Sequence, residues 1–256
     1  ILGSSAAVGG LFENLPLSSV DGVRTPYKIF AEHFDVQMAD GQLAKAGATV
    51  SDQNSATSPS EVIDGASPFL LINPGTKADA GTSVQFNAAV ADDLAGAPVK
   101  TVGPIVSTAT LMDNKELFFQ TRVGFAVSAT PWDAKALVGW IVTDTVPLAT
   151  GDGALAILDG GGAGFNVQED GTLSYFTSAA AITSPTGTVS GVNVIDDINA
   201  LTAGEFKFYT LGVHIRITDA SASTGVTDFY VDNTKVATVL DSVPMDDTET
   251  YSMTYT

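Results

Sequence analysis

Short runs of β-branched and aromatic residues, separated by glycine, aspartate, asparagine, serine and threonine, recur along the whole chain and constrain its fold more than any other feature. A strand needs only about four to eight such residues, whereas a helix needs a longer apolar periodicity, which is hard to find here. The pattern predicts an all-β protein, built as an antiparallel two-sheet β-sandwich. With 256 residues the chain is long enough for one such domain with a sizeable core.

Alternation of apolar and polar residues locates individual strands. Residues 116–127 predict a long strand whose odd-numbered positions face the core. In residues 206–218 the same alternation places Leu211 and Val213 inward and His214 and Arg216 outward. Continuous apolar runs at 136–143 and 154–158 predict strands that are covered on both faces or lie in the centre of a packed sheet. Further strands are predicted at residues 27–36, 69–72, 83–90 and 251–255.

Two hairpins follow from their turn residues. Residues 165–168 and 172–176 flank Glu169-Asp170-Gly171, where glycine supplies a positive φ. Residues 228–239 form a second hairpin around Asp232-Asn233, next to the strand at 206–218.

The chain is predicted to have two parts. Residues 1–26 are rich in glycine and serine and end at Pro26, which predicts an extended N-terminal arm. Residues 27–256 form the sandwich, and the polar stretch 48–60 is predicted to be an exposed loop. The apolar run at 136–142 is far shorter than the roughly 18 residues that cross a bilayer, so no membrane association is expected.

Charge and cysteine content exclude several functions. The chain carries 29 acidic and 11 basic side chains, a net charge of -18, which would repel a nucleic-acid backbone. Cysteine is absent, which removes disulfides, thiolate metal sites, cysteine nucleophiles and iron–sulfur clusters. The excess of acids is concentrated in residues 136–256, which hold 15 acidic and 3 basic side chains.

No cofactor or metal site is predicted. The glycine-rich run 159–165 lacks the spacing of a dinucleotide or P-loop motif and is interpreted as a flexible connection between strands. His33 and His214 have no second His or Cys at metal-binding spacing, and His214, beside Arg216 on the polar face of its strand, is interpreted as a surface or cross-strand residue. The pairs Asp92-Asp93, Asp196-Asp197 and Asp246-Asp247 are compatible either with calcium ligation or with solvated loops.

No catalytic residue is predicted, and the protein is expected not to be an enzyme. Glycoside hydrolysis needs two carboxylates flanking the scissile bond, whereas Glu116 and Glu205 each stand alone in the sequence. The candidate ligand-binding residue is Trp132, in the loop Thr130-Pro131-Trp132-Asp133, where it could stack on a sugar or on a neighbouring subunit, or simply anchor the loop. Trp140 lies in an apolar strand and is expected to be core.

Three segments resemble the strands of concanavalin A-like lectin and glucanase jelly rolls. They are residues 115–123 (KELFFQTRV), 138–141 (VGWI) and 228–237 (DFYVDNTKVA), and the resemblance spans about residues 68–245. Asn233 stands where the family has a turn glycine, and asparagine, like glycine, can adopt the positive φ that such a turn requires.

The acidic, cysteine-free composition and the arm ahead of the sandwich are also similar to virion structural proteins of tailed bacteriophages. This resemblance implies a capsid decoration, or cement, protein on the capsid exterior. Its partners would be the major capsid protein and further copies of itself, as a dimer or trimer. The alternative is a carbohydrate-binding module or adhesin, which requires a solvent-facing aromatic cluster with polar partners. A glycan hydrolase or lyase is the third interpretation and requires two facing carboxylates.

Overall fold

Sixteen strands and one short helix make up the regular structure of the described residues in the computed structural model. The described residues are 49–53, 61–63, 69–71, 81–85, 89–90, 100–101, 106–107, 116–126, 136–142, 161–202, 205–219, 222–243 and 250–255. The strands are β1 (Thr49–Gln53), β2 (Glu61–Ile63), β3 (Phe69–Leu71), β4 (Gly81–Gln85), β5 (Ala89–Val90), β6 (Lys100–Thr101), β7 (Val106–Ser107), β8 (Glu116–Ala126), β9 (Ala136–Val142), β10 (Gly162–Val167), β11 (Thr172–Ser178), β12 (Gly187–Asn193), β13 (Phe206–Asp219), β14 (Thr224–Val231), β15 (Thr234–Leu240) and β16 (Thr250–Tyr255). The helix is α1 (Val194–Asn199).

Two antiparallel sheets form a sandwich. The large sheet has eight strands in the order β1-β4-β16-β9-β10-β11-β12, with β7 also paired to β16. The small sheet has four strands in the order β15-β14-β13-β8. Two two-stranded ribbons, β2-β3 and β5-β6, complete the described pairings, all of which are antiparallel. The predicted fold class, an all-β two-sheet sandwich of the jelly-roll kind, is confirmed.

The main core lies between the two sheets. Phe229 of the small sheet packs edge-on against Phe165 of the large sheet, with ring centroids 5.5 Å apart, and also contacts Tyr175 at 4.8 Å. The alternation predicted for β8 and β13 is confirmed, because Phe119, Phe125 and the odd-numbered residues of β13 from Tyr209 to Ile217 are buried in this core.

The far side of the large sheet is also buried where β9 crosses it. Leu137, Ile141, Phe176 and Ile182 form a second apolar cluster on that side. Trp140 points the other way into the main core and is 4 % exposed, as predicted. Burial on both faces explains the unbroken apolar run of β9, which lies between β16 and β10.

Both predicted hairpins are present. Strands β10 and β11 pair around a turn in which Gly171 has φ +81°. Strands β14 and β15 pair around Asp232 and Asn233, with φ 48° and 64°. Positive φ at both central residues is the geometry that matches the twist of a two-residue hairpin.

The glycine-rich run was wrongly interpreted as a flexible connection, because Gly162 to Phe165 form the first part of buried strand β10. Gly164 lies opposite Gly139 of β9. A Cβ on Gly164 would meet the Val138 carbonyl oxygen at 2.2 Å, and one on Gly139 would meet the Ala163 carbonyl oxygen at 2.4 Å. These glycines serve close backbone packing rather than flexibility.

Three other predictions are corrected. Residues 83–90 do not form one strand, since β4 joins the large sheet and β5 pairs with β6 instead. The stretch 48–60 is not wholly a loop, because it contains β1, which pairs with β4. Asp196 and Asp197 lie in the first turn of α1 rather than in a loop, where helix N-termini favour negative charge.

The predicted arm (1–26), the predicted strands at 27–36 and 154–158, and residues His33, Asp92-Asp93, Trp132 and Asp246-Asp247 lie outside the described residues. Within the described parts of the chain, no helix is long and apolar enough to cross a membrane.

Candidate functional site

The surface of the small sheet that points away from the core is here called the outer face. It brings together charged, amide and aromatic side chains from all four strands of that sheet. Alternation along each strand places its side chains opposite the buried positions. The outer face includes Glu116, Phe118, Gln120, Arg122 and Gly124 of β8; Phe206, Phe208, Thr210, Gly212, His214 and Arg216 of β13; Val226, Asp228 and Tyr230 of β14; and Lys235, Thr238 and Leu240 of β15.

Asp228 is the buried anchor of the outer face, at 1 % exposure. Thr238 donates a hydrogen bond to its Oδ1 at 2.5 Å, the Arg216 Nη2 lies 2.8 Å from its Oδ2, and the Lys235 Nζ lies 3.6 Å from its Oδ1. Burial alone would raise the pKa of Asp228, but the Thr238 hydrogen bond and the two cations outweigh it and lower the pKa below its usual range. Asp228 is therefore ionised near neutral pH.

His214 joins this network to β8. Its ring stacks on Phe118 at a centroid distance of 4.1 Å. Its Nε2 lies 3.0 Å from Glu116 Oε2, and its Nδ1 lies 3.3 Å from Arg216 Nη1. Arginine has only donors, so Nδ1 accepts from Arg216 and Nε2–H donates to Glu116. Of the two roles that the sequence left open for His214, a surface or a cross-strand residue, the contact with Glu116 shows the cross-strand one.

The environment of His214 favours the neutral ring. Burial lowers its pKa, the hydrogen bond to Glu116 acts in the opposite direction, and the Arg216 charge lowers it further. Both ring nitrogens are therefore engaged in a neutral imidazole, which leaves no free lone pair to accept a proton from a substrate.

Arg122 and Phe208 form an exposed pair at the other end of the outer face. The Arg122 guanidinium carbon lies 4.1 Å from the centroid of the Phe208 ring, a cation–π contact. The Phe208 ring lies across Gly124, since a Cβ there would meet its Cε1 at 2.5 Å. Phe206 stacks beside it at 5.9 Å, and Phe208 remains 39 % exposed.

Gly212 interrupts the row of outward side chains between the charged network and the Arg122–Phe208 pair. It is the direct partner of Gln120 on β8 and of Tyr230 on β14. The Gln120 amide reaches the Asn233 side chain of the hairpin turn at 3.4 Å. The Gln120 amide and the Tyr230 phenol thus lie on either side of a position that has no side chain.

The other residues singled out in the sequence play structural roles. Asp197 accepts a hydrogen bond from the Tyr209 hydroxyl at 2.6 Å and pairs with Lys207 at 3.4 Å, which fastens α1 to β13. Glu205 accepts from the Thr202 backbone N–H at 2.9 Å. Among the residues described, no group of three or more His, Cys, Asp or Glu side chains could hold a metal ion. Trp132, the candidate from the sequence, lies outside them.

Arg122, Phe208, Asp228 and Tyr230 were not identified from the sequence as site residues. The alternation of β8 already placed Arg122 and Gln120 on one face. The register that brings Asp228 opposite His214 depends on the pairing of β13 with β14, which alternation along a single strand does not reveal.

No known family model matches the chain, and no curated protein matches it. Several solved structures resemble the fold. Alginate lyase Aly36B is 12 % identical over 86 % of this chain and 80 % of its own, with a TM-score of 0.46. The Emp46p carbohydrate recognition domain is 12 % identical over 85 % and 83 %, with a TM-score of 0.41. Alginate lyase vAL-1 from Chlorella virus is 12 % identical over 86 % and 89 %, with a TM-score of 0.40.

These structures belong to the lectin and lyase type of jelly roll, which is the kind of fold that the sequence resembled. At these identities and TM-scores they assign neither an activity nor a ligand to this chain. The comparisons show no link to a phage capsid.

Proposed function

We propose that this protein is a non-catalytic carbohydrate-binding protein and that the outer face is its binding surface. The observation that carries the proposal is the combination of exposed aromatic rings with planar polar side chains on one sheet face. Phe208 is 39 % exposed, and Tyr230 is partly exposed beside Gln120 across Gly212. Sugar rings stack their C–H faces on aromatic rings, while their hydroxyls pair with amides, phenols and guanidinium groups.

The state of the two titratable groups at the centre of the outer face supports the non-catalytic part of this proposal. A general base needs a free lone pair, but Nδ1 of His214 accepts from Arg216 and Nε2–H donates to Glu116. A general acid needs a proton at working pH, but the pKa of Asp228 is lowered and its carboxylate is buried between cations. Arg216 bonds to both groups and links them in one structural network.

A glycan array followed by calorimetry tests the proposal. We expect the intact protein to bind a subset of glycans and the double variant Phe208→Ala/Tyr230→Ala to lose that binding. Val236→Ala is the matched control, because Val236 is similarly exposed at 37 % but is aliphatic and lies on edge strand β15. Absence of glycan binding, or binding by the double variant equal to that of the intact protein, would refute the proposal.

The role on a phage head stays a prediction. The arm at residues 1–26, on which the expected association depends, lies outside the described residues. The major capsid protein as partner, assembly of the chain as a dimer or trimer, and location on the capsid exterior all stand with that prediction.

A further inference from the structure

We infer that the glycan bound by the outer face carries carboxylate groups, as a uronic-acid saccharide does, and that Arg122 is the residue that recognises them. The inference deepens the proposed function and rests on it. Every sugar ring offers C–H groups for stacking, so the aromatic rings of the outer face cannot distinguish a charged saccharide from a neutral one. We assign that distinction to Arg122.

Arg122 differs from the other cations whose side chains the structure describes. Arg216 and Lys235 both pair with Asp228, and Lys207 pairs with Asp197. Arg122 makes a cation–π contact with Phe208 and, among the described residues, has no carboxylate within ion-pair distance. Its side chain is exposed. Among the residues that the structure describes, Arg122 is therefore a cation with no acidic partner, which leaves its guanidinium available to an anionic group of a ligand.

The Phe208 ring also orients the guanidinium group. The ring is held across the β8 backbone at Gly124, and Arg122 lies above it at 4.1 Å. The guanidinium carries its N–H donors in a planar fork, and a ligand beside the ring can accept from them. Two parallel N–H donors match the two oxygens of a carboxylate, which a hydroxyl group does not reproduce.

The position of Arg122 fits a ligand lying across the strands. Arg122 is the direct partner of Thr210, which precedes Gly212 by one outward position. A saccharide that stacks on Phe208 and reaches toward Tyr230 and Gln120 would therefore pass beside the guanidinium. The acidic remainder of the chain repels a polyanion, so binding depends on this local contact and weakens as salt screens it.

The test compares an oligouronate mixture with the same mixture after its carboxyls have been reduced to primary alcohols. We expect the intact protein to bind the carboxylated form at least about tenfold more tightly, and Arg122→Gln to remove that preference. The control is Lys207→Gln, which removes the same charge from a residue paired with Asp197. Thermal unfolding of both variants checks that they are folded, and polyglutamate serves as an anionic polymer without sugar rings.

Retention of the preference by Lys207→Gln and its loss in Arg122→Gln would support the inference. Equal binding of the carboxylated and reduced forms would overturn it while leaving glycan binding intact. Equal binding of polyglutamate and oligouronate would overturn the assignment of a saccharide ligand. If neither oligouronate form nor any neutral glycan on the array bound, the proposed function itself would fail.

Discussion

A buried carboxylate loses its hydration, and hydrogen bonds and cations nearby must offset that cost. For Asp228, these partners belong to a network that extends over the four strands of the small sheet. Thr238 and Lys235 come from β15, Arg216 comes from β13, and His214 passes the network on to Glu116 of β8. Because Asp228 pairs with both Arg216 and Lys235, and His214 bonds to Glu116, the strands of the small sheet are joined by side chains as well as by backbone hydrogen bonds.

Asp228→Asn is expected to destabilise the fold by about 2 kcal/mol, since it leaves Arg216 without its anion and removes a buried charged hydrogen-bond acceptor. Lys235→Ala is the control, because the Lys235 side chain is 52 % exposed and its contribution should stay below about 1 kcal/mol. Urea unfolding of the three proteins measures both effects. Similar losses in the two variants would contradict the anchoring role of Asp228.

His214 should make the protein less stable in mild acid. Its pKa is lowered from 6.5 in the fold, so below that pH the unfolded chain binds more protons than the folded one, and stability falls as pH decreases toward 5. Asp228 titrates at lower pH and does not contribute in this window. His214→Gln should flatten the unfolding free energy measured between about pH 7 and pH 5. Parallel pH profiles for the two proteins would show that His214 does not titrate as the fold implies.

At the scale of the elements, glycine decides how closely strands β9 and β10 approach. Gly139 and Gly164 face each other across the two strands, and a Cβ on either would collide with a carbonyl oxygen of the neighbouring strand. Phe176 lies over the same spot, 3.0 Å from the position that a Gly164 Cβ would occupy. The strand pair therefore requires hydrogen at both positions.

Gly164→Ala is expected to cost at least about 2 kcal/mol, because the backbone must shift inside a packed sheet. Gly191→Ala provides the comparison, since a Cβ there meets nothing within 4 Å and only the positive φ of +75° is unfavourable. That strain should cost about 1 kcal/mol. Thermal and urea unfolding would rank the two variants, and a smaller loss for Gly164→Ala than for Gly191→Ala would contradict the close-packing explanation.

Elements that depend on turn residues or on alternation within a single strand were predictable from sequence. The β10–β11 hairpin follows from Gly171, and the β14–β15 hairpin follows from Asp232-Asn233. The inward faces of β8 and β13 follow from alternation. Glycine in β10 was misread because composition does not show how close a neighbouring backbone comes. Only part of the outer face was predictable from sequence. Arg122 and His214 lie on predicted strands, but the strand pairing that places His214 opposite Asp228 is long-range and does not follow from alternation along one strand.

For the whole molecule, the charge is distributed unevenly relative to the proposed ligand surface. Net charge is -18, yet the outer face combines Arg122, Arg216 and Lys235 with only Glu116 and Asp228 as acids. The overall charge makes copies of the protein repel one another, whereas the balanced charge of the outer face repels the proposed anionic ligand less.

Deletion of residues 1–26 tests the predicted arm. We expect the truncated chain to keep the unfolding transition of the sandwich but to associate less, because an extended segment adds contact area along a neighbouring chain. Light scattering after size-exclusion chromatography gives the mass of both forms. An unchanged mass, or loss of the folded sandwich, would contradict an arm that serves assembly.

Strand β16 lies between β4 and β9 in the large sheet, and the Tyr255 hydroxyl lies 3.1 Å from the Thr121 hydroxyl of the small sheet. During synthesis, β4 and β9 leave the ribosome long before the strand that joins them. Until residues 250–255 emerge, the two halves of the large sheet have unpaired edges, which other chains can add to. A message cut short before this segment would therefore yield a product that aggregates, although it contains nearly every core residue.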